Sequence, residues 1–158
     1  MIRVGIGYDI HRIDSSRRLV LGGVDIPAGF GLFGHSDADV VLHAIMDALL
    51  GAASLADIGH HFPASDESYR DASSLDLLQR VRLLLLDAEF RPVNVDVVIV
   101  AEQPRLAPYV PAMRERIAEA LDIDTTAVGV KATTNEGVGP EGRVEAISAQ
   151  AVALIESV

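Results

Sequence analysis

The sequence predicts a layered fold of the α+β or α/β kind, one sheet covered by three helices in a single domain spanning 1–158. Three observations lead there. The chain has 158 residues, the size of one domain around one core. Segments of alternating apolar residues are interleaved with segments of helical period, the pattern of a sheet with helices packed on it. No internal repeat and no low-complexity linker divides them.

Each element has its own signal. Ile2, Val4 and Ile6 alternate with Arg3 and Gly5, a short strand opening into Tyr8-Asp9-Ile10-His11. Leu19–Leu21 and Val24–Ile26 flank Gly22-Gly23, a hairpin closed by Pro27. The period then changes. Ser36 fits an N-cap, with Asp39 three residues on as the acid of a variant capping box, and Asp37 and Asp39 both favour the positive end of a helix. Val40, Val41, Ala44, Ile45, Ala48, Leu49 and Ala52 form its apolar stripe, which ends around Ala53. Residues 55–71 are polar and irregular, a surface loop and candidate lid. Ser74 caps a second helix running to about Ala88. Residues 95–100 form a β-branched strand, and unbroken Val98-Ile99-Val100 predicts burial on both faces. Pro104 and Pro108 precede a third helix over 111–121. Val128, Val130 and Ala132 alternate with Gly129 and Lys131 as another strand, followed by a glycine-rich loop. Residues 144–155 fit alternation and helical period equally, and pattern leaves them unassigned.

Composition narrows the function. Hydrophobic residues make up 49% of the chain but aromatics only 4%, and surplus aliphatic surface is most simply hidden between subunits, so a homo-oligomer is expected. Thirteen basic against 23 acidic residues give a formal charge of -10, which argues against a nucleic-acid backbone or an anionic membrane as partner. The absence of Cys removes disulfides, thiolate zinc sites and Cys nucleophiles, and fits a reducing cytoplasm. The chain shows no leader segment and no run near the roughly 18 apolar residues of a membrane span. A soluble, unsecreted protein is expected.

Asp9 and His11 lie two apart where a strand runs out, so their side chains share one face, as two ligands of one metal require. His43 sits mid-helix with Asp39 and Asp47 four residues to either side. That spacing fits a solvated face of charge pairs; it also fits a metal-binding His whose second ring nitrogen is held by a carboxylate. Two His and one carboxylate leave a fourth tetrahedral position open, the pattern of catalytic rather than structural zinc. His35 precedes a helix start, where it either caps or contacts a phosphate. Asp57-Ile58-Gly59 places an acid in a turn, and His60 and His61 receive no role. The G-x-G-x-x-G match at Gly29, Gly31 and Gly34 precedes a helix and keeps a dinucleotide site as a rival; the match at Gly137, Gly139 and Gly142 leaves too little chain for a βαβ unit. Lys131-Ala132-Thr133-Thr134-Asn135-Glu136 combines hydroxyls, a cation and a carboxylate at a strand end, suited to phosphate and hard-metal binding.

Taken together, 7–11, Gly34-His35-Ser36-Asp37-Ala38-Asp39-Val40-Val41-Leu42-His43, 47–52, Asp57-Ile58-Gly59 and Phe62-Pro63 resemble the 2-C-methyl-D-erythritol 2,4-cyclodiphosphate synthase family, in order along nearly the whole chain. The resemblance implies α+β subunits, each a sheet covered on one face by about three helices, assembled as a homotrimer with active sites between neighbours. It implies cyclisation of 4-diphosphocytidyl-2-C-methyl-D-erythritol 2-phosphate with loss of CMP, in the non-mevalonate isoprenoid route. Asp9, His11 and His43 would hold Zn2+ or another divalent cation, and Glu136 would hold Mg2+ or Mn2+ between the diphosphate groups. His35 and Thr134 would steady the transition state. Ser36, Asp57, Ile58 and Gly59 would meet substrate together with the loop of Phe62, Pro63, Ala64, Ser65 and Asp66, which lines the methylerythritol pocket. Ala101, Glu102, Gln103, Pro104, Arg105, Leu106 and Ala107 would hold the CDP part with Ala132, Thr133 and Thr134; Asn135 and Arg143 complete the substrate contacts.

The chain departs from the family at Pro140, where a Phe is usual, and at Ala64, Asn135 and Arg105, where an acid, a Thr and a Lys are common. Two other readings fit the same residues. One is a zinc phosphoesterase, in which water attacks and the product is linear; the other is a metal-stabilised trimer that binds nucleotide or isoprenoid ligands without turnover.

Overall fold

In the computed structural model, which describes residues 1–158, the chain opens with β1 (Ile2–Asp14), followed by the hairpin β2 (Leu19–Leu21) and β3 (Val24–Ile26) and a short β4 (Gly31–Leu32). Then come α1 (Val40–Ala53), one-turn α2 (Ile58–His61), α3 (Ser74–Asp87), β5 (Phe90–Val100), α4 (Val110–Leu121), β6 (Val128–Thr133), one-turn α5 (Gly139–Gly142) and β7 (Ala146–Ser157). The main sheet has the order β4-β1-β7-β5-β6, and β2 and β3 pair apart from it. Only β5 and β6 run parallel; β7 lies antiparallel between β1 and β5. The sheet is thus mixed and the helices stand on one side of it, an α+β arrangement.

The segment that pattern left unassigned is the central strand. Residues from β7 bond on both edges, to β1 and to β5, and its alternate residues Ala149, Ala151, Ala153 and Ile155 are buried under the helices. Within β5 the expectation of burial on both faces at Val98-Ile99-Val100 fails. Val95, Val97 and Ile99 are buried, while Val98 and Val100 are half-buried and Asp96 is exposed, because no element of this chain covers the second face. That face carries Val4, Ile6, Tyr8 and Val152 at 67%, 64%, 57% and 44% exposure.

Close approach fixes α1 on β1. A Cβ at Gly5 would stand 1.9 Å from the Ala48 carbonyl oxygen, and one at Gly7 the same distance from that of Ala44. The two glycines and the small faces of Ala44 and Ala48 let helix and strand backbones touch, which brings mid-helix residues beside the end of β1.

The helix starts are corrected. Asp39, not Ser36, is the N-cap of α1 and accepts the Leu42 N–H at 3.1 Å. Ala38 takes a left-handed turn, φ 58°, which delays the helix, and Ser36 Oγ instead accepts the Ala38 N–H. Asp39 also accepts the N–H groups of Gly22 and Gly23 at 2.9 and 2.7 Å, tying the hairpin to the helix. Burial, and then the neighbouring Asp37 carboxylate, push its pKa up to about 7 against those three donors. The N-cap of α3 is Ser73, whose side chain makes no capping bond; Asp37 reaches across to accept the Ser74 N–H at 2.9 Å. Within 55–71 the expected loop contains α2 and a 3-10 turn at Glu67–Tyr69. No helix is long and apolar enough to cross a membrane.

Candidate metal centre and neighbouring clefts

Asp9 and His11 project from the helix-covered side of β1, as their spacing predicts, and His43 from α1 completes a cluster. Asp9 Oδ2 lies 2.8 Å from His11 Nε2 and 3.0 Å from His43 Nδ1, and the two ring nitrogens are 3.1 Å apart. His43 is buried; Asp9 and His11 are half-buried. His11 Nδ1–H donates to the Phe33 carbonyl at 2.7 Å, and because a carbonyl only accepts, Nε2 faces the cluster as a lone pair whenever the ring is neutral.

This donor set fits a divalent cation. Ligands bound tetrahedrally at about 2.0–2.1 Å stand roughly 3.3 Å apart, within about half an ångström of the three separations here. Without a cation the three groups contact one another directly. Burial opposes ionisation of Asp9, but hydrogen bonds and charge from His11 and His43 outweigh it and hold its pKa down at about 2. For His11 burial disfavours the charged ring, and pairing with Asp9 outweighs that and raises its pKa.

The solvated-face reading of α1 is overturned. His43 is 7% exposed and Asp39 fully buried, because the hairpin and α3 pack over that face. Its second ring nitrogen is not held by a carboxylate either: His43 Nε2 meets Ser36 Oγ and Ser74 Oγ, each at 3.1 Å. Asp47 turns away and accepts the Ile58 N–H at 2.8 Å. Ser74 read in sequence only as a helix start, and nothing local to it signals a His contact 31 positions away.

The cluster lies at one side of a cavity of about 250 Å³. Of the residues that the resemblance singles out, His35, Ser36, Ile58, Gly59, Phe62 and Ala64 line it, and Met46, Tyr69 and Leu77 add apolar wall that the sequence did not single out. His35 Nε2 contacts the Asp66 carbonyl at 3.1 Å. Arg17 holds the turn before α1 in place by donating to the carbonyls of Gly34 and Ser36. Asp57, Pro63, Ser65 and Asp66 lie in the adjoining loop without lining the cavity; Asp57 caps α2 by accepting the His60 N–H at 2.9 Å.

A second cleft of about 330 Å³ is lined by Ala101, Glu102, Pro104, Arg105, Leu106 and Ala107 with Ala132, Thr133 and Thr134. The two cavities share no residue. Glu102 turns its carboxylate on the backbone, accepting the N–H groups of Asn135 and Gly137 at 3.2 and 3.3 Å, which braces the exposed loop carrying Glu136. Gln103, Asn135, Glu136 and Arg143 line neither cavity, and Arg143 pairs with Glu145 at 3.0 Å.

Residues 2–156 match the model of the YgbB family. The chain belongs to that family. The 2-C-methyl-D-erythritol 2,4-cyclodiphosphate synthase of Symbiobacterium thermophilum is 60% identical over 152 residues, 96% of this chain and 97% of its own. That of Desulfitobacterium hafniense is 53% identical over 158 residues, all of both chains. Among solved structures, IspF of Plasmodium falciparum in its CDP complex superposes with a TM-score of 0.86 at 34% identity, covering 99% of this chain and 96% of that one. The bifunctional IspDF of Campylobacter jejuni gives 0.96 at 37% identity; this chain is matched throughout but spans only 43% of that longer one. Membership of the YgbB family removes the dinucleotide rival, and the sheet agrees: the stretch of Gly29, Gly31 and Gly34 holds β4, which pairs antiparallel with β1, so no parallel βαβ unit surrounds it.

Proposed function

We infer that the chain is a 2-C-methyl-D-erythritol 2,4-cyclodiphosphate synthase. It converts 4-diphosphocytidyl-2-C-methyl-D-erythritol 2-phosphate to 2-C-methyl-D-erythritol 2,4-cyclodiphosphate with release of CMP, on the non-mevalonate route to isoprenoid precursors. The observation that carries the reading is the convergence of Asp9, His11 and His43 beside a cavity in a chain matched over nearly its whole length by such synthases.

The reaction joins two anions. The substrate's 2-phosphate oxygen attacks the β-phosphorus, and the bond from that phosphorus to the α-phosphate bridging oxygen breaks, with CMP taking the electron pair. The two groups together carry roughly four negative charges. Zinc held by Asp9, His11 and His43, and Mg2+ or Mn2+ held by Glu136, would supply charge neutralisation when bound. The chain's own residues do the rest. Ile58, Phe62, Met46 and Leu77 offer an apolar wall to the methylerythritol skeleton and keep water from competing with the internal nucleophile. His35, from the turn before α1, and Thr134 would donate to phosphoryl oxygens as charge builds on them. The second cleft, with Ala101–Ala107 backbone and Arg105, would take the CDP part.

The separation of the two cavities within one chain supports a homotrimer whose sites lie between neighbours, one subunit giving the metal side and the next the nucleotide side. The bare apolar sheet face gives such an assembly its inner surface. One core spanning strands and helices supports a single catalytic domain over 1–158, and the cysteine-free sequence supports a cytoplasmic location.

The test is to incubate the purified chain with substrate and Mg2+ and follow phosphorus NMR. CMP with a cyclic diphosphate is expected; a linear product would mean a phosphoesterase, and no turnover would leave a binding protein.

A further inference from the structure

We propose that Ser74 and Asp37 are positioning residues that set the tautomer of His43, so that its Nδ1 lone pair is presented to the bound cation. The inference rests on the metal reading of the Asp9–His11–His43 cluster and extends it beyond the ligands themselves.

The proton count decides the arrangement. Ser74 Oγ lies 2.5 Å from Asp37 Oδ1. A carboxylate accepts only, so the one hydroxyl hydrogen of Ser74 goes to Asp37. Ser74 Oγ then has only lone pairs left for His43 Nε2, 3.1 Å away, and that contact is a hydrogen bond only if Nε2 carries the hydrogen. Ser36 Oγ, at 3.1 Å, can accept that hydrogen or donate its own, so it fits either tautomer and Ser74 is the contact that decides between them. A neutral imidazole has one N–H, so Nδ1 is bare and faces Asp9 and His11.

The relay is built in, not incidental. Ser74 and His43 are buried, and Asp37 is fixed at both ends: its Oδ2 accepts the Ser74 N–H at 2.9 Å and its own N–H donates to the Ala72 carbonyl at 3.1 Å. The relay also has an opponent. Asp9 Oδ2, 3.0 Å from Nδ1, attracts the imidazole hydrogen to the other nitrogen, where it would block a metal. Ser74 and Asp37 tip that competition, as the Phe33 carbonyl does for His11. Outer partners of this kind typically change metal affinity 10–100-fold.

Ser74→Ala isolates the effect, because it deletes the hydroxyl and keeps the backbone bond to Asp37 that anchors α3. In chelator competition it should bind zinc about 10–100-fold more weakly than the parent, and Ser74→Thr should restore most of the loss. In the metal-free protein above the imidazole titration range, long-range 15N–1H correlation should show His43 as the Nε2–H tautomer in the parent and shifted towards Nδ1–H in Ser74→Ala. Unchanged affinity with an unchanged tautomer would overturn the proposal, as would an Nδ1–H tautomer in the parent, a reading that stands even if the Ala variant does not fold. A parent that binds no zinc overturns the metal reading instead, while the metal-free tautomer still decides the role of Ser74.

Discussion

Gly7 sits two residues before Asp9, and what it lacks determines where the metal cluster forms. A methyl group there would meet the Ala44 carbonyl at 1.9 Å, a backbone atom that yields only if α1 lifts from β1. Gly7→Ala should therefore cost about 1–3 kcal/mol, the range for overpacking, and weaken zinc binding more than this implies, because His43 leaves with the helix. Urea unfolding and zinc retention on a desalting column measure the two effects. A second residue-scale prediction concerns the metal-free chain. Asp9 titrates at about 2 instead of 3.8, so its contribution to stability is present above 3.8 and lost as pH falls towards 2. His11 is raised above 6.5, so its contribution is present below 6.5 and lost as pH rises through the raised value. The metal-free protein should have its highest melting temperature between these limits, and zinc should raise the melting temperature most above the raised His11 value, where its proton no longer pairs it with Asp9. A melting temperature that climbs steadily from pH 5 to 8 without metal would contradict the pairing.

At the scale of elements, sequence legibility tracked the range of the forces involved. Strand β1, the β2–β3 hairpin and the stripe of α1 were readable because period and turn chemistry are local. The start of α1 was misread because Asp39 is stabilised by Gly22 and Gly23, 17 and 16 positions away, and β7 was unreadable because its outer face mixes polar Ser148, Gln150 and Glu156 with apolar Val152 and Leu154, which blurs the period of two. Asp9, His11 and His43 were identifiable by residue type and face, whereas Ser74 and Asp37 were seen only as helix-start residues. Asp39 gives the element-scale prediction. Asp39→Ala would orphan three N–H donors, two in the hairpin and one in the first turn of α1. With about 1–3 kcal/mol for each buried unsatisfied group, partly relieved by water, a loss of about 3 kcal/mol is expected in denaturant titration. Asp39→Asn, which keeps one acceptor oxygen, should lose less.

At the scale of the molecule, the aliphatic surplus in the composition and the bare sheet face are one fact seen twice: Val4, Ile6 and Tyr8 alternate outward along β1 with nothing in this chain to cover them. If they meet their copies in a trimer, Ile6→Lys should yield monomers by sedimentation. Those monomers should still bind zinc, since Asp9, His11 and His43 come from one chain, yet show no turnover, since the nucleotide cleft would have no metal side opposite it. Whether the site is shared can be read without disrupting the assembly. His35 lines the first cavity and Thr134 the second, so His35→Ala and Thr134→Ala disable opposite sides. Each variant alone should be nearly inactive. Unfolded together in equal amounts and refolded, they assemble at random, and an interface regains both groups when its first side comes from the Thr134→Ala chain and its second from the His35→Ala chain. Each choice has even odds, so about a quarter of the parent activity should return for a heterologous interface of this kind. Sites contained within single chains would return none, because every chain in the mixture carries one lesion.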